Sequence, residues 1–257
     1  MKITFDVRNT GLGNNGGSLT IVQSANTLQK LGHDVCIIGD SSNQHKWTKL
    51  EVEYRIVKTT AQIPTADIII TTGYHSVIKT VQAPKRCGIK VHWIRGWETW
   101  LGSEEWIVKN ILCTPTIKVV NSIGLQKKLQ SYDISSTIIY PGYDLDKFFP
   151  QKTQKTKTFV IGGLYTKGKH ENTKRTKWVL DVYQKLSKKH PNVRLWMFGT
   201  PKQPHPLINH YLCQPNIQQK NWFYNHVNIW LSPSILEGLH MPPAEAMMTE
   251  CPVVGVD

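Results

Sequence analysis

The sequence predicts an α/β protein made of two doubly wound units, each a parallel sheet with helices on both faces. Three observations carry that expectation. Short apolar strand patterns alternate with helical ones through residues 1–145, a proline-bearing polar stretch interrupts them at 146–157, and the alternation restarts at 158 and continues to 257. The 257 residues suit two small domains, at roughly 150 residues per domain.

Taken in order, residues 2–7 form a first strand and residues 9–17 a glycine-rich turn. Ser18 is expected to cap a helix on which Leu19, Val22, Ala25, Leu28 and Leu31 recur at near-helical spacing, with Gly32 ending it. Strands follow at 34–39, 52–57, 67–71, 89–94, 117–120 and 136–139, with helices over 104–112 and 123–132. Pro150 and the run 151–157 mark a linker. Beyond it, 158–161 is a strand and 176–188 a helix with Val179, Val182, Tyr183 and Leu186 at i, i+3, i+4 and i+7. Strands at 193–198, 228–231 and 252–256 complete the pattern, and Pro242 and Pro243 open a last helix. The sequence stops after an apolar strand with no helix to cover it, so the second unit is expected to be truncated.

A hydrophobic content of 40% with 9% aromatics is enough to bury real cores. No apolar run reaches the ~18 residues a membrane span needs, and the N-terminus has no secretory signal pattern. Five widely spaced cysteines with no C-x-x-C predict reduced thiols and a cytoplasmic setting. The net charge of +13 fits nucleic acid, an anionic membrane surface or phosphate-bearing small molecules, and equally a lysine-rich surface that only aids solubility. The nine tryptophans are scattered rather than interleaved with a basic stripe, which argues against nucleic acid.

Gly11-Leu-Gly13-Asn-Asn-Gly16 fits G-x-G-x-x-G between a strand and a helix, the context in which backbone and helix N-terminus meet a diphosphate. An NAD(P)- or flavin-dependent oxidoreductase is therefore an alternative. Against it, Gly17 and two asparagines loosen the loop, and Asp40, the candidate ribose-binding acid, lies 24 residues past Gly16. The second half also offers no hydride-handling constellation. Gly163-Leu-Tyr-Thr-Lys-Gly168-Lys169-His170 approaches a P-loop, but His170 replaces the hydroxyl that would hold Mg²⁺. Asp144-Leu-Asp146 resembles a D-x-D metal motif at a domain junction, and His75, His205, His210 and His226 lack metal-ligand spacing, so no metal is expected.

Two sets of polar residues remain. In the first unit, His92-Trp-Ile-Arg95-Gly-Trp-Glu98 closes a strand, where α/β sites gather. Arg95 and Glu98 form a polar pair beside aromatic platforms suited to a sugar, while His92 is a catalytic candidate whose favoured reading is structural, as for most lone strand histidines. In the second unit, Glu237 and Glu245 flank Gly238-Leu-His-Met241. Glu237 falls on a strand-to-helix loop and Glu245 in the first helical turn. The N–H groups of Gly238, Leu239, His240 and Met241 can hold phosphate oxygens, and a carboxylate can accept two ribose hydroxyls. As an isolated pair, the same acids read as ordinary helix-end charges.

The full string decides between these readings. Trp230-Leu-Ser-Pro-Ser-Ile-Leu-Glu-Gly-Leu-His-Met-Pro-Pro-Ala-Glu-Ala-Met247, followed by Cys251-Pro-Val-Val-Gly-Val-Asp257, resembles the donor-site signature of the retaining GT-B glycosyltransferases of family four over roughly 28 positions. His240 stands where that signature has glycine, and Thr249-Glu250 where it has a small residue and glycine. Ile139-Tyr-Pro-Gly-Tyr-Asp144 with Phe148 resembles the family's entry into its second domain. The resemblance implies two Rossmann-like domains facing a cleft. It also implies transfer of a sugar from a nucleoside-diphosphate sugar, a substrate rather than a cofactor, to an acceptor hydroxyl with retention. The acceptor would be a glycan, a lipid-linked or a small molecule, and the product a cell-surface glycan or glycolipid. Lys174 and Glu237 would stabilise the leaving group and sugar. Gly238, Leu239, His240, Met241, Glu245, Lys169, Arg175, Gly13, Gly16 and Gly17 would bind the nucleotide sugar, with Lys169 in the family's arginine position. Arg95 and Glu98 would face the acceptor. Two settings follow, free in the cytoplasm or peripheral at the inner membrane face. An inactive binding module is a further alternative.

Overall fold

The computed structural model describes residues 1–41, 47–153, 157–168, 171–235 and 237–256. They form two compact units, Met1–Pro141 and Gly142–Asp257. The first holds a seven-stranded sheet of β1 (Lys2–Asp6), β2 (Asp34–Gly39), β3 (Glu53–Ile56), β4 (Ile68–Thr71), β5 (Ile89–Ile94), β6 (Ile117–Val120) and β7 (Thr137–Ile138). All pairings are parallel, in the order β3-β2-β1-β4-β5-β6-β7. The connecting helices are α1 (Gly16–Lys30), α2 (Tyr74–Val81), α3 (Glu104–Ile107) and α4 (Ile123–Gln130). The second unit has a five-stranded parallel sheet of β8 (Phe159–Tyr165), β9 (Val193–Gly199), β10 (His210–Cys213), β11 (Ile229–Ser232) and β12 (Val253–Gly255), ordered β10-β9-β8-β11-β12. Its helices are α5 (Glu171–Lys174), α6 (Thr176–Lys189), α7 (Ile217–His226) and α8 (Met241–Met248). No helix among the described residues is long and apolar enough to cross a membrane.

The strands are short apolar runs because a parallel sheet is covered on both faces. In the first unit, Ile3, Phe5, Val35 and Ile37 point to one face and pack on Ile21, Val22 and Ala25 of α1. Cys36, Ile38 and Ile69 cover the other face with Val57 and Ile63. In the second unit, Phe198, Phe223, Tyr224 and Trp230 form an aromatic core with Phe148, and Ile161, Leu195 and Met197 pack on Val179 and Tyr183 of α6.

Each sheet reverses its strand order once, between β1 and β4 in the first unit and between β8 and β11 in the second. Ligands of open α/β sheets gather at such points, beyond the carboxyl ends of the strands. The glycine-rich turn follows β1, and the loop carrying Glu237 follows β11, so both lie at their own unit's switch point.

The structure corrects several local expectations. Asn15 rather than Ser18 caps α1, its side-chain oxygen accepting from the Ser18 N–H at 2.9 Å. An asparagine oxygen reaches the third helical N–H readily, so Gly16 and Gly17 belong to the helix and not to the turn. The helix expected over 104–112 changes pitch, with α3 giving way to a π turn at Val108–Leu112. The sequence pattern missed α2, α5, β10 and α7. Helix α7, Ile-Gln-Gln-Lys-Asn-Trp-Phe-Tyr-Asn-His, buries Asn221 beside Phe223 and Tyr224 and so shows no clean apolar stripe.

Gly88 fixes the approach of β5 to β4. Its φ is +68°, and a Cβ there would stand 2.0 Å from the Asp67 carbonyl oxygen, which accepts the Ile89 N–H at 2.9 Å. Gly88→Ala is expected to destabilise the first unit by about 1–3 kcal/mol from backbone strain. Urea unfolding would check this, and a variant as stable as wild type would remove the constraint.

Candidate functional site

In the second unit the loop after β11 is stitched to the segment before α6. Ile235 N–H donates to the Thr173 carbonyl at 3.0 Å, and the Ser234 hydroxyl oxygen lies 3.1 Å from that carbonyl. That brings Lys174, the last residue of α5, onto Glu237, with its ammonium donating to Oε1. The Ser234 hydroxyl donates to the same oxygen at 2.6 Å. His240 Nε2 lies 3.2 Å from it without hydrogen-bond alignment, while Nδ1 is held 2.8 Å from the Ser232 hydroxyl. Burial lowers the His240 pKa, with Glu237 opposing and Lys174 reinforcing. Lys174 and Glu237 each keep about a quarter of their side-chain surface exposed, 24% and 23%, so the pair is open to a ligand.

In the loop that follows Glu237, no group among the described residues accepts from the backbone N–H of Gly238, Leu239, His240 or Met241. Pro242 and Pro243 in the first turn of α8 have no N–H to add. The free donors at this end of α8, among the described residues, are therefore the N–H groups of Gly238 to Met241. Lys174 and Glu237 meet at the start of the same loop.

Glu245 is placed differently from expectation. It is the fifth residue of α8, past the first turn, and its side chain points inward with 4% exposure. Lys220 Nζ donates to Oε1 at 2.7 Å and the Tyr224 hydroxyl to Oε2 at 2.9 Å, both from α7. The cause of the shift is that α8 begins at Met241, before the proline pair. Arg175 does not join the Lys174–Glu237 group. It adopts a left-handed conformation, φ 49° and ψ 41°, and lays its guanidinium 4.2 Å from the centre of the exposed Trp178 ring. Lys169 lies outside the described residues.

In the first unit, Gly13 precedes the Asn15 cap, and Gly16 and Gly17 form the first turn of α1. Arg95, just past β5, donates from Nη1 to the Gly17 carbonyl and rests 5.3 Å from the Trp93 ring centre. Burial lowers its pKa to about 10, opposed by Glu98. Glu98 accepts the Tyr74 N–H of α2 at 3.2 Å. Burial raises its pKa to about 7 against that bond and Arg95. Arg95, Glu98 and Gly17 are thus gathered at the β1/β4 switch point.

His92 sits deeper. It is wholly buried, edge-on to Tyr74 at 5.5 Å, with both ring nitrogens unpartnered among the described residues. Burial and then Lys118 drive its pKa down to about 3. A ring that stays neutral inside the sheet is a packing element.

Sequence reasoning missed the polar floor of this unit. Asp6, Thr71, His92 and Lys118 are register partners on β1, β4, β5 and β6. Arg8 grips Asp6 in a two-pronged pair, Nε to Oδ1 at 2.9 Å and Nη2 to Oδ2 at 2.6 Å, and Thr80 of α2 adds a bond at 2.8 Å. The spacing Asp-Val-Arg at a strand end was the available signal.

Residues 158–257 match the family model described as Glycosyl transferases group 1. No curated protein matches the sequence. Among solved structures, sucrose-phosphate synthase from Thermosynechococcus elongatus is similar over 99% of this chain and 81% of its own, with a TM-score of 0.72 at 14% identity. An alpha-glucosyltransferase in complex with UDP is similar over 99% of this chain and 80% of its own, with a TM-score of 0.66 at 13% identity. TarM of S. aureus is similar over 74% of this chain, which spans 41% of TarM, with a TM-score of 0.59 at 19% identity. At such identities the structural likeness speaks for the fold, and the family match for the second unit. Residues 158–257 are therefore a glycosyltransferase domain of group 1, in a chain that has the α/β fold of the GT-B glycosyltransferases.

Proposed function

We propose that the protein transfers a sugar from a nucleoside-diphosphate sugar to an acceptor hydroxyl, with retention at the anomeric carbon and without a metal ion. The observation that carries this reading is the Lys174–Glu237 pair at the start of the loop with the four open N–H groups of Gly238–Met241, at the switch point of a group 1 domain. The bond from the anomeric carbon to the diphosphate oxygen breaks, and negative charge grows on the diphosphate. The Lys174 ammonium and the loop N–H groups stabilise that charge, as preorganised donors do in a site closed from water. The acceptor oxygen bonds to the same face of the anomeric carbon, and its proton passes to the departing diphosphate. Glu237 orients Lys174 and accepts sugar hydroxyls. Glu245 takes ribose hydroxyls on the lone pairs that Lys220 and Tyr224 leave, since each carboxylate oxygen has two.

The first unit takes the acceptor, with Arg95 and Glu98 as its polar contacts. A cell-surface glycan or glycolipid precursor, met in the cytoplasm or at the inner membrane face, suits the charge of +13.

A thermal-unfolding panel of UDP-, GDP-, ADP- and dTDP-sugars tests the reading, because a ligand that binds only the folded chain raises its Tm. At least one member is expected to do so, and a flat panel would sink the proposal. In calorimetry with the active member, Glu245→Gln is expected to weaken binding about tenfold or more, the size of a hydrogen bond to a charged group. Gln keeps the side-chain shape over Lys220 and Tyr224. Unchanged affinity would remove Glu245 from the site.

A further inference from the structure

His240 puts an imidazole where the glycosyltransferase signature has glycine, and the ring is built into the site. Its Nδ1 lies 2.8 Å from the Ser232 hydroxyl at the end of β11, and that hydroxyl has no other partner among the described residues. Its Nε2 is buried and has no aligned partner, yet stands 3.2 Å from Glu237 Oε1. Burial lowers the pKa of the ring and keeps it neutral at pH 7. A bare nitrogen lone pair facing a carboxylate oxygen at that distance would be repelled. Nε2 therefore carries the ring proton, and the Ser232 hydroxyl donates to Nδ1.

The oxygen that Nε2 faces is already full. A carboxylate oxygen has two lone pairs, and Oε1 accepts from the Lys174 ammonium and from the Ser234 hydroxyl. The Nε2–H is a third hydrogen-bond donor within reach of an oxygen with room for two, which accounts for its poor alignment. The charged groups facing the ring are Glu237 from its own loop and Lys174 from α5. The small cavity that the ring shares with Lys174 is otherwise lined by Leu164, Trp230, Leu231, Ser232 and Pro233, none of them charged. Glu237 is thus the acceptor toward which the Nε2–H can turn.

We propose that His240 is a reserve hydrogen-bond donor to Glu237, whose Nε2–H replaces Lys174 on Oε1 when the ammonium turns to the diphosphate. The carboxylate then stays charged and aimed at the hydroxyls of the transferred sugar. This rests on the function proposed above, in which Lys174 serves the leaving group. His240 is a positioning residue: it acts through Glu237 and sets the affinity for the sugar, not for the phosphates.

Calorimetry tests this with two ligands, the nucleotide sugar of the UDP-, GDP-, ADP- and dTDP-sugar panel that raises the Tm and its nucleoside diphosphate. His240→Leu removes the N–H and is expected to weaken nucleotide-sugar binding about tenfold, the size of a hydrogen bond to a charged group. The nucleoside diphosphate leaves Glu237 open to water and is expected to bind this variant nearly as it binds wild type, which also reports that the variant is folded. His240→Gln sets an amide N–H close to the Nε2 position and is expected to restore most of the loss. Equal losses for both ligands would mean that the side chain serves the phosphate loop, and they overturn the proposal. So does a leucine variant with wild-type sugar affinity, or a glutamine variant as weak as leucine.

A second readout needs no ligand. Lys174→Met frees the lone pair on Oε1 permanently, so the His240 Nε2–H proton resonance is expected to move downfield as it bonds the carboxylate. Glu237→Gln in the same background should reduce that shift. A resonance that Lys174→Met leaves unmoved overturns the exchange of donors. If the shift appears while no nucleotide sugar binds, the transfer reaction fails and the exchange on Glu237 stands.

Discussion

Arg8→Met is expected to destabilise the first unit by about 3–5 kcal/mol, the cost of leaving one partner of a buried ion pair alone. Asp6 has no exposed surface and Arg8 only 3%. The Asp6 carboxylate receives the Arg8 N–H at 3.1 Å, both guanidinium contacts, and the Thr80 hydroxyl. Methionine keeps most of the volume but leaves a carboxylate with two neutral donors and no counter-charge. Asp6→Asn combined with Arg8→Met should recover a large part of the loss, because neither charge is then buried alone. Urea unfolding of the two single variants and the double variant measures the coupling. Additive losses, or a loss under 1 kcal/mol for Arg8→Met, would show that the pair does not carry this weight. The consequence is also local, since the Arg8 carbonyl accepts from Ser76 of α2 and Arg8 begins the turn that leads to the Asn15 cap. One ion pair thus holds both connections at the β1/β4 switch point.

Much of the fold was legible because parallel strands, covered on both faces, are written as apolar runs. Those at 34–39, 89–94 and 117–120 fall where β2, β5 and β6 lie. The elements that escaped are those whose burial is not apolar. Helix α7 turns Asn221 inward to accept the Phe149 N–H at 3.1 Å, and a buried amide breaks the stripe that marks a helix. Tyr74 and Thr80 do the same for α2, with Thr80 spent on Asp6.

The site divides along the same line. Glu237 and the Gly238–Met241 loop could be named by motif because they lie in one strand-to-helix connection, whereas Lys174 reaches Glu237 from another connection 63 residues away. The partners of Glu245 could not, since Lys220 and Tyr224 stand 25 and 21 residues upstream on that unread helix. Arg95 and Gly17 were both picked out as candidates, yet their contact spans 78 residues and no spacing rule joins them. The Asn15 cap shows the finer limit. Asparagine and serine both cap helices, and only the folded turn shows which oxygen reaches the N–H.

Lys174→Met is expected to lower kcat by about 10²–10³-fold, the effect of removing one preorganised donor from a developing oxyanion, with KM changing far less. The basic segment 167–175 offers several cations, and the geometry separates them. Lys167 donates to the Gln203 carbonyl at 3.2 Å and lies 5.6 Å from the Tyr165 ring centre, while Arg175 is stacked on Trp178. Lys174 alone among the described cations meets Glu237. Alanine at Lys167 or Arg175 is therefore expected to cost much less activity. The fold should tolerate Lys174→Met, since a partly exposed pair contributes about 0–1 kcal/mol, so unchanged urea unfolding beside a collapsed kcat is the signature of chemistry rather than stability. Glu237→Gln should give a smaller loss, because Ser234 and Lys174 can still bond the amide oxygen. The double variant should be little worse than Lys174→Met, because the two side chains act as a unit and their effects do not add. A double variant at the product of the single losses would mean that Glu237 works independently of Lys174, through the sugar and not through the ammonium. A Lys174→Met enzyme with wild-type kcat would remove the leaving-group role from this lysine altogether.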